Sequence, residues 1–436
     1  MEIRKGYRQT DVGIIPNDWD ILEFGQLVDY IKGFAFKSRD YSTDGTRVIR
    51  VSDTTFDSIK EENQIYIDEG PGDQYRKWRV EEDDLILSTV GSKPPMYDSM
   101  VGKVIIIPKK HAGSLLNQNA VLIRSKRKSK YEQQILLSHF RTKRYLRHIE
   151  SIYRGNANQA SITLVELFQF HIPLPKLDSE QAAIAEALSD ADALISRLEQ
   201  LIGKKRNIKQ GAMQELLTGK KRLPGFSGEW EVKSLGEIFS FSGGFTASRE
   251  QLSTDGFCYL HYGDIHKSDR TYIDVDKEYS EIPKLDIPIK SVSTKSLLND
   301  GDVVFVDASE DDEGASKHIV VRNPEGITYI SGLHTIVSKS KDDSLENRYK
   351  QYCFQTSNIK RQFKFYAVGT KVSGISKTNI AKIQMPLSTK AEQAAIAKIL
   401  SDMDAEIEQL GQKLDKYRMI KQGMMQELLT GKTRLV

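Results

Sequence analysis

Cysteine is nearly absent from this chain: Cys258 and Cys353 are the two in 436 residues. That excludes a disulfide scaffold and a zinc site built from cysteine alone. Long hydrophobic runs are missing, so no segment is expected to span a bilayer. The opening stretch MEIRKGYRQTDVG lacks the apolar core of a secretory signal. A large excess of either charge is missing too: 63 Lys and Arg stand against 60 Asp and Glu, for a net charge of +3. Any nucleic-acid binding must then come from local patches rather than bulk charge. The remaining composition, 39% hydrophobic and 28% charged, is that of a globular chain long enough for several domains. The expected class is a soluble intracellular protein.

What is present is a repeat. The segment Glu180–Leu223 recurs without a gap as Glu392–Leu435, at an offset of 212, with 30 of 44 positions identical. A whole structural unit therefore recurs. Apolar residues in each copy follow steps of four and three, the seam of a coiled coil. In the first copy the stripe runs through Ile184, Leu188, Ile195, Leu198, Ile202, Ile208 and Leu216, and in the second through their counterparts, Ile420 among them. Lys205 and Tyr417 interrupt it at equivalent points. Asp178 or Ser179, and Thr389 with Glu392, are start signals, and Gly219 and Gly431 are natural stops. Each helix is then about 40 residues, or about 60 Å long.

The segments before the helices echo each other more weakly: Trp19 matches Trp230, Gly33-Phe34 matches Gly244-Phe245, and Asp84-Leu-Ile-Leu matches Asp302-Val-Val-Phe. Strand-like runs such as Val101–Ile107 and His318–Val321 make each a mixed α/β globule. The expected partition is globule 1–177, helix 178–219, globule 220–388, helix 389–436. A globule of that size is about 40 Å across, too small to join the far ends of two parallel helices about 60 Å long. The helices are therefore expected to pair antiparallel, with a pseudo-two-fold axis relating the halves. Two similar heads at a fixed separation suit two short DNA segments along one face.

Catalytic motifs fail on inspection. Gly431-Lys432-Thr433 resembles the tail of a phosphate-binding loop, but the earlier glycine that loop requires falls on Gln426. Glu231-Val232-Lys233 is a nuclease-like triplet with no paired acid in context. Cys258, His261 and His266 match no zinc spacing.

Candidate DNA contacts fall into three groups. Arg141, Lys143, Arg144, Arg147 and Arg154 recur at helical spacing, as a phosphate-binding face or a solvated one. Lys360, Arg361, Lys364 and Lys371 occupy the equivalent stretch of the second half, interleaved with Phe363, Phe365 and Tyr366. The run Arg124–Lys130 reads better as a solvated face. Base reading needs amides, guanidinium or lysine at loop tips. Ser88, Thr89, Ser92 and Lys93 follow a strand, Gln118 and Asn119 follow a turn, and Asn156, Asn158 and Gln159 share another loop. Ordinary turn chemistry is the alternative for each. Ser309 and Glu310 open an acidic loop that either accepts from cytosine or is held off the DNA. Gly211 and Gly423 lie inside the helices, where glycine costs about 1 kcal/mol relative to alanine. Their recurrence suggests close approach of the partner helix or another protein rather than a local break in the helix, and makes Gln210, Gly211, Gln214, Gln422, Gly423 and Gln426 candidate partner-binding residues.

The helix start Glu-Gln-x-Ala-Ile-Ala, the helix end Lys-Gln-Gly-x-Met-Gln-Glu-Leu-Leu-Thr-Gly-Lys and the repeated layout resemble the specificity subunit of type I restriction–modification systems. So do Gly33–Ser38, Leu87–Ser92, Gly301–Phe305, Ala308–Gly314 and Gly332–Ile336. The resemblance implies that each globule is a target recognition domain reading one half of a bipartite, gapped site in double-stranded DNA. It implies that the helices are a spacer that sets the gap and binds two methyltransferase subunits. Restriction/motor subunits would complete the complex, with S-adenosylmethionine, ATP and Mg on the partners and no cofactor on this chain. The setting would be the prokaryotic cytoplasm, with no membrane partner and no catalytic centre in this chain. Consistent with that, the Asp/Asn-Pro-Pro-Tyr/Phe loop of an adenine methyltransferase is missing, since Asn323-Pro324-Glu325-Gly326 does not fit it. The alternative is a coiled-coil scaffold with two protein-binding heads.

Overall fold

The computed structural model describes residues 3–68, 74–156, 159–266, 268, 270–309, 316–369 and 373–436. The chain divides into two compact units, residues 1–199 with 413–436, and residues 200–412. The division falls inside two long helices, Asp178–Leu216 and Lys390–Leu428, so each unit owns part of both.

In the first unit the central sheet has the order Val104–Ile106, Leu85–Ser88, Ala120–Ser125, Val28–Lys32, antiparallel throughout. Successive strand side chains face opposite ways. Leu85 and Leu87 enter one core with Val121, Ile135 and Ile149, while Ile86 enters another with Ile105 and Leu122. Both faces are covered, so the strand reads as an unbroken apolar run rather than an alternation. The expected strand Val101–Ile107 is shorter, Val104–Ile106, because the chain first turns at Gly102, whose φ is +78°. A smaller sheet follows the order Leu115–Leu116, Thr46–Ile49, Ile65–Ile67, Tyr41–Ser42. The helices Lys130–Phe140 and Lys143–Ile152 start at Ser129 and Thr142, whose side chains accept backbone N–H groups at the first turn.

The second unit repeats this plan. Its sheet has the order Phe239–Gly243, Thr335–Ser340, Val303–Val306, His318–Arg322, extended by Tyr272–Asp274. Val303 and Phe305 enter one core, Val304 and Val306 the other. The helix Ser357–Tyr366 is capped by Thr356, as its counterpart is by Thr142. Glycine at positions 33 and 244 is required by close approach: a Cβ would lie 1.9 Å from the Asn117 carbonyl oxygen at the first and 1.7 Å from that of Gly332 at the second.

Each unit ties its globule to the foot of a long helix in the same way. Trp19–Glu23 pairs with His171–Pro175, and Glu231–Ser234 with Gln384–Leu387. Glu180 is buried and accepts hydrogen bonds from Arg434 (2.7 Å) and the Trp19 indole (3.3 Å). Glu392 is buried and accepts from Arg222 (2.6 and 2.8 Å) and the Trp230 indole (3.1 Å). The neighbouring amides of Gln181 and Gln393 donate to the carbonyls of Pro175 and Ser388. The Glu-Gln pair that opens both repeats is therefore an anchor, with a buried carboxylate neutralised by an arginine that follows the glycine stop of the other copy.

Within the first unit, the helix segments are bridged by Glu199–Arg418 (2.7 Å) and Asp192–Lys421. Within the second, Lys205–Glu406 (2.6 Å) and Lys209–Asp404 (2.5 Å) do the same. Three expectations need correction. Ile208 and Ile420 do not join the buried stripe; they are 48% and 43% exposed. Gly211 and Gly423 are not closely approached by the other helix, since apart from their own helix backbone no atom lies within 4 Å of where a Cβ would stand. The second helix does not continue to 436: it ends at Leu428, and Gly431, at φ +67°, turns the chain so that Arg434 reaches Glu180. Gly219 does the same at φ +71°.

Candidate nucleic-acid interface

Three loops of the first unit meet at one edge. Val90–Gly91 pairs with Gln159–Ser161, which pairs with Arg154–Asn156. The Thr89 N–H and hydroxyl both donate to the Asn119 carbonyl, at 3.0 and 3.1 Å, and the Ile162 N–H donates to the Thr89 carbonyl at 3.1 Å. The segments 88–93, 118–119, 154–156 and 159–161 are thus joined by backbone hydrogen bonds. Gln118, Asn119 and Lys93 are exposed there, and Asn119 sits at φ +68°, a left-handed turn that asparagine tolerates.

Two expected readers are not at the tip. Ser88 is buried and donates to the Met100 carbonyl at 3.0 Å. Ser92 is buried and accepts from Ser99 at 2.9 Å. Ser92 lines a cavity of about 580 Å³ together with Gln159, Ser161, Lys60 and Lys103. Lys103 is buried and donates to the carbonyls of Thr54 and Asp98. Burial pulls its ammonium down from 10.5 to about 8. Between about pH 8 and pH 10.5 the unfolded chain therefore binds more protons at this site than the folded one, so Lys103 makes stability rise with pH there. Urea unfolding at both ends of that window is expected to show a smaller rise in Lys103→Met than in the parent; equal rises would count against the assignment.

The second unit builds the same edge from different residues. Ala308–Ser309 pairs with Ser373–Gly374. The Asp307 N–H donates to the His334 carbonyl at 3.2 Å, and the Ile375 N–H to the Asp307 carbonyl at 2.8 Å. His334 takes the place of Asn119, at φ +60°. Its Nδ1 lies 3.4 Å from an Asp307 carboxylate oxygen, and its ring meets Tyr262 edge-on at 5.5 Å. Leu333 and Tyr262 are also exposed. Sequence reasoning noticed Gly332–Ile336 as a motif but named neither His334 nor Tyr262 as a reader. The available signal was the alignment of His334 with Asn119, each immediately before a strand, Thr335–Ser340 and Ala120–Ser125.

The basic residues divide. Arg154 is exposed and paired with Glu166 at 2.7 Å. Lys360, Arg361 and Lys364 are exposed along the helix Ser357–Tyr366. Arg141 and Arg144 instead line a cleft against the long helices. Arg141 lies 3.7 Å from Asp192, and the Arg144 guanidinium stacks on Phe170 at 4.1 Å. Arg124 turns inward to Asp84 (2.7 Å). Asn158, Glu310 and Lys371 lie outside the described residues, and Ser309 is described only as backbone. On the helices Gln210, Gly211, Gln422, Gly423 and Gln426 are exposed, whereas Gln214 is half-buried and accepts from the Ser357 N–H at 3.1 Å. Among the described residues no cluster of His, Cys, Asp or Glu could hold a metal ion, and no helix is long and apolar enough to cross a membrane.

The sequence pattern of the type I restriction modification DNA specificity domain matches residues 16–210 and again 227–416. A putative type I restriction enzyme MjaX specificity subunit of Methanocaldococcus jannaschii is 26% identical, over 99% of this chain and 97% of that protein. The type I restriction enzyme MjaVIII specificity subunit of the same organism is 22% identical, over 97% and 94%. The fold resembles the crystal structure of a type I restriction-modification S subunit from M. genitalium, with a TM-score of 0.56 at 16% identity and 98% of both chains covered. A chain from a structure on complex assembly of the type I R-M system gives 0.54 at 14% identity, over 96% of this chain and 99% of that one. Two matched domains covering most of the sequence place the chain in this family: it is a type I restriction–modification specificity subunit with two DNA specificity domains.

Proposed function

We propose that each globule reads one half of a bipartite, gapped site in double-stranded DNA. The long helices pair as an antiparallel coiled coil related by a pseudo-two-fold axis and set the gap. The observation that carries this reading is the shared three-loop edge. Its backbone hydrogen bonds recur in both units, while its side chains differ: Gln118 and Asn119 in one, Leu333 and His334 in the other. A constant frame with variable tips is what two readers of different half-sites need. Thr89, Lys93 and Arg154, and Lys360, Arg361 and Lys364, flank those tips as phosphate or base contacts. Lys371, Asn158, Ser309 and Glu310 are proposed contacts on sequence grounds alone. The helix pairing is supported by the ion pairs, whose partners run backwards along one helix as they run forwards along the other.

The exposed faces around Gln210–Gly211 and Gln422–Gly423, open where a Cβ would stand, are the proposed seats of two methyltransferase subunits. Those subunits carry S-adenosylmethionine and transfer the methyl group, while restriction/motor subunits use ATP and Mg; this chain supplies no catalytic group. The complex works in the prokaryotic cytoplasm.

Long-read methylation profiling of host DNA, with and without the chain, tests this reading. A two-part adenine-methylation motif is expected to vanish on deletion. Asn119→Ala is expected to relax one half of that motif and His334→Ala the other, each by about 1–3 kcal/mol of discrimination. Loss of no motif would favour a protein-binding scaffold, and loss of both halves in either variant would contradict one half-site per globule.

A further inference from the structure

The two units also differ beside the long helices, where the elements of their shared plan correspond. The first contains a cleft of about 680 Å³ between the start of the helix Lys143–Ile152 and the long-helix segments that belong to that unit. Six cations line it against three carboxylates. Two carboxylates are already engaged, Glu199 by Arg418 and Asp192 by Lys421. Arg144 makes no ion pair among the described residues, and one of its terminal nitrogens is buried without a partner. The Nε of Arg141 is buried without one as well. Burial pulls the Arg144 guanidinium down to about 10, the carboxylate of Asp11 offsetting part of the shift. The floor is apolar, built from Val12, Ile195, Met425 and Leu429.

The second unit is an internal control. Its helix Ser357–Tyr366 aligns with Lys143–Ile152 at an offset of 214, so Gln355, Ser357 and Asn358 stand where the first unit has Arg141, Lys143 and Arg144. All three cations are replaced by neutral residues. Ser138 is replaced by Tyr352, whose buried ring carries its hydroxyl to Asp404 at 2.9 Å, the counterpart of Asp192. Lys209, the counterpart of Lys421, stacks on that ring at 5.3 Å. The second unit thus fills this place with a tyrosine and a neutral polar edge, and the first leaves it open and cationic.

Guanidinium nitrogens buried without a partner, as on Arg144 and at the Nε of Arg141, cost stability and are kept where an anion completes them. A duplex backbone presents its phosphates on a convex surface and meets side chains that project, which these do not. We propose that the cleft is a binding site for a small phosphate-bearing ligand of nucleotide size. Its phosphates lie on Arg141, Arg144 and Lys421, and its base and ribose on the apolar floor. The volume falls in the range of small-molecule sites, which pair an apolar lining with a few charged groups. The inference does not rest on the reading of the loops.

Calorimetric titration of the full chain with ATP and with inorganic pyrophosphate, in the absence of metal, tests it. ATP is expected to bind once per chain with a Kd of about 1 mM or tighter, and pyrophosphate more weakly because it leaves the floor uncovered. Arg144→Asn and Ser138→Tyr, each installing the residue the second unit already carries, are expected to weaken ATP binding by about tenfold or more. The proposal is overturned by the absence of saturable ATP binding, or by binding that neither substitution changes. Equal binding of pyrophosphate would overturn the nucleotide assignment. Displacement of ATP by a non-specific duplex would give the cleft to DNA phosphates, and displacement by the methyltransferase subunit would give it to an acidic protein segment; either result overturns a small-molecule site.

Discussion

Arg222→Ala is expected to lower the unfolding free energy of the second unit by about 3–5 kcal/mol. The guanidinium holds Glu392 through two hydrogen bonds, at 2.6 and 2.8 Å, and the carboxylate is 1% exposed. Removing the arginine leaves a buried charge with, among the described residues, the Trp230 indole as its remaining side-chain donor. The cost is that of an uncompensated buried ion, well above that of losing a surface pair, about 0–1 kcal/mol. Urea unfolding followed by tryptophan fluorescence measures it, and Trp230 reports locally. The double variant Arg222→Ala with Glu392→Gln is expected to recover part of the loss, because it removes the stranded charge. A loss under about 1 kcal/mol in the single variant would mean that the anchor is solvated, not buried.

Four residues inserted after both Gln200 and Gln412, equivalent points of the repeat, are expected to change the target rather than abolish it. Four residues add about 6 Å of helix. At 3.4 Å per base pair that corresponds to about two base pairs. On the proposed reading the methylated motif keeps both half-sites and its gap grows by about that amount, as read by methylation profiling. The insertions go into both helices because the ion pairs tie each to the other. An unchanged gap with the motif intact would contradict the helices as a ruler.

The long helices could be read from the sequence because their signal is local and doubled: an apolar stripe, cap residues and glycine stops, repeated at a constant offset of 212. The strands Leu85–Ser88 and Val303–Val306 were visible for a similar reason, as short apolar runs buried on both faces. The loops were visible as a set but not as individuals. Nothing near Ser88 in the sequence announces that its hydroxyl is spent on Met100, or that Thr89 is tied to Asn119, 30 residues on. The exposure of Ile208 and Ile420 was also hidden, because a periodic stripe marks the face of a helix but not which of its residues meets a partner.

The sequence by itself determined the repeat, the two long helices, the two similar globules and, through motifs distributed over nearly the whole chain, the family. These are properties of neighbours within a few turns or of a pattern that recurs. Tertiary structure alone decided what the charged residues do. Glu180 and Glu392 become buried anchors because arginines 254 residues later and 170 residues earlier fold back on them. Arg144, read as a surface cation from its helical spacing, becomes a half-buried and unpaired one because Phe170 and the long-helix residues close around it. Helical spacing places a charge on one side of a helix; whether water, a carboxylate or an empty cleft faces that side depends on residues distant in the chain, and on that depends whether the charge is solvated, paired or held for a ligand.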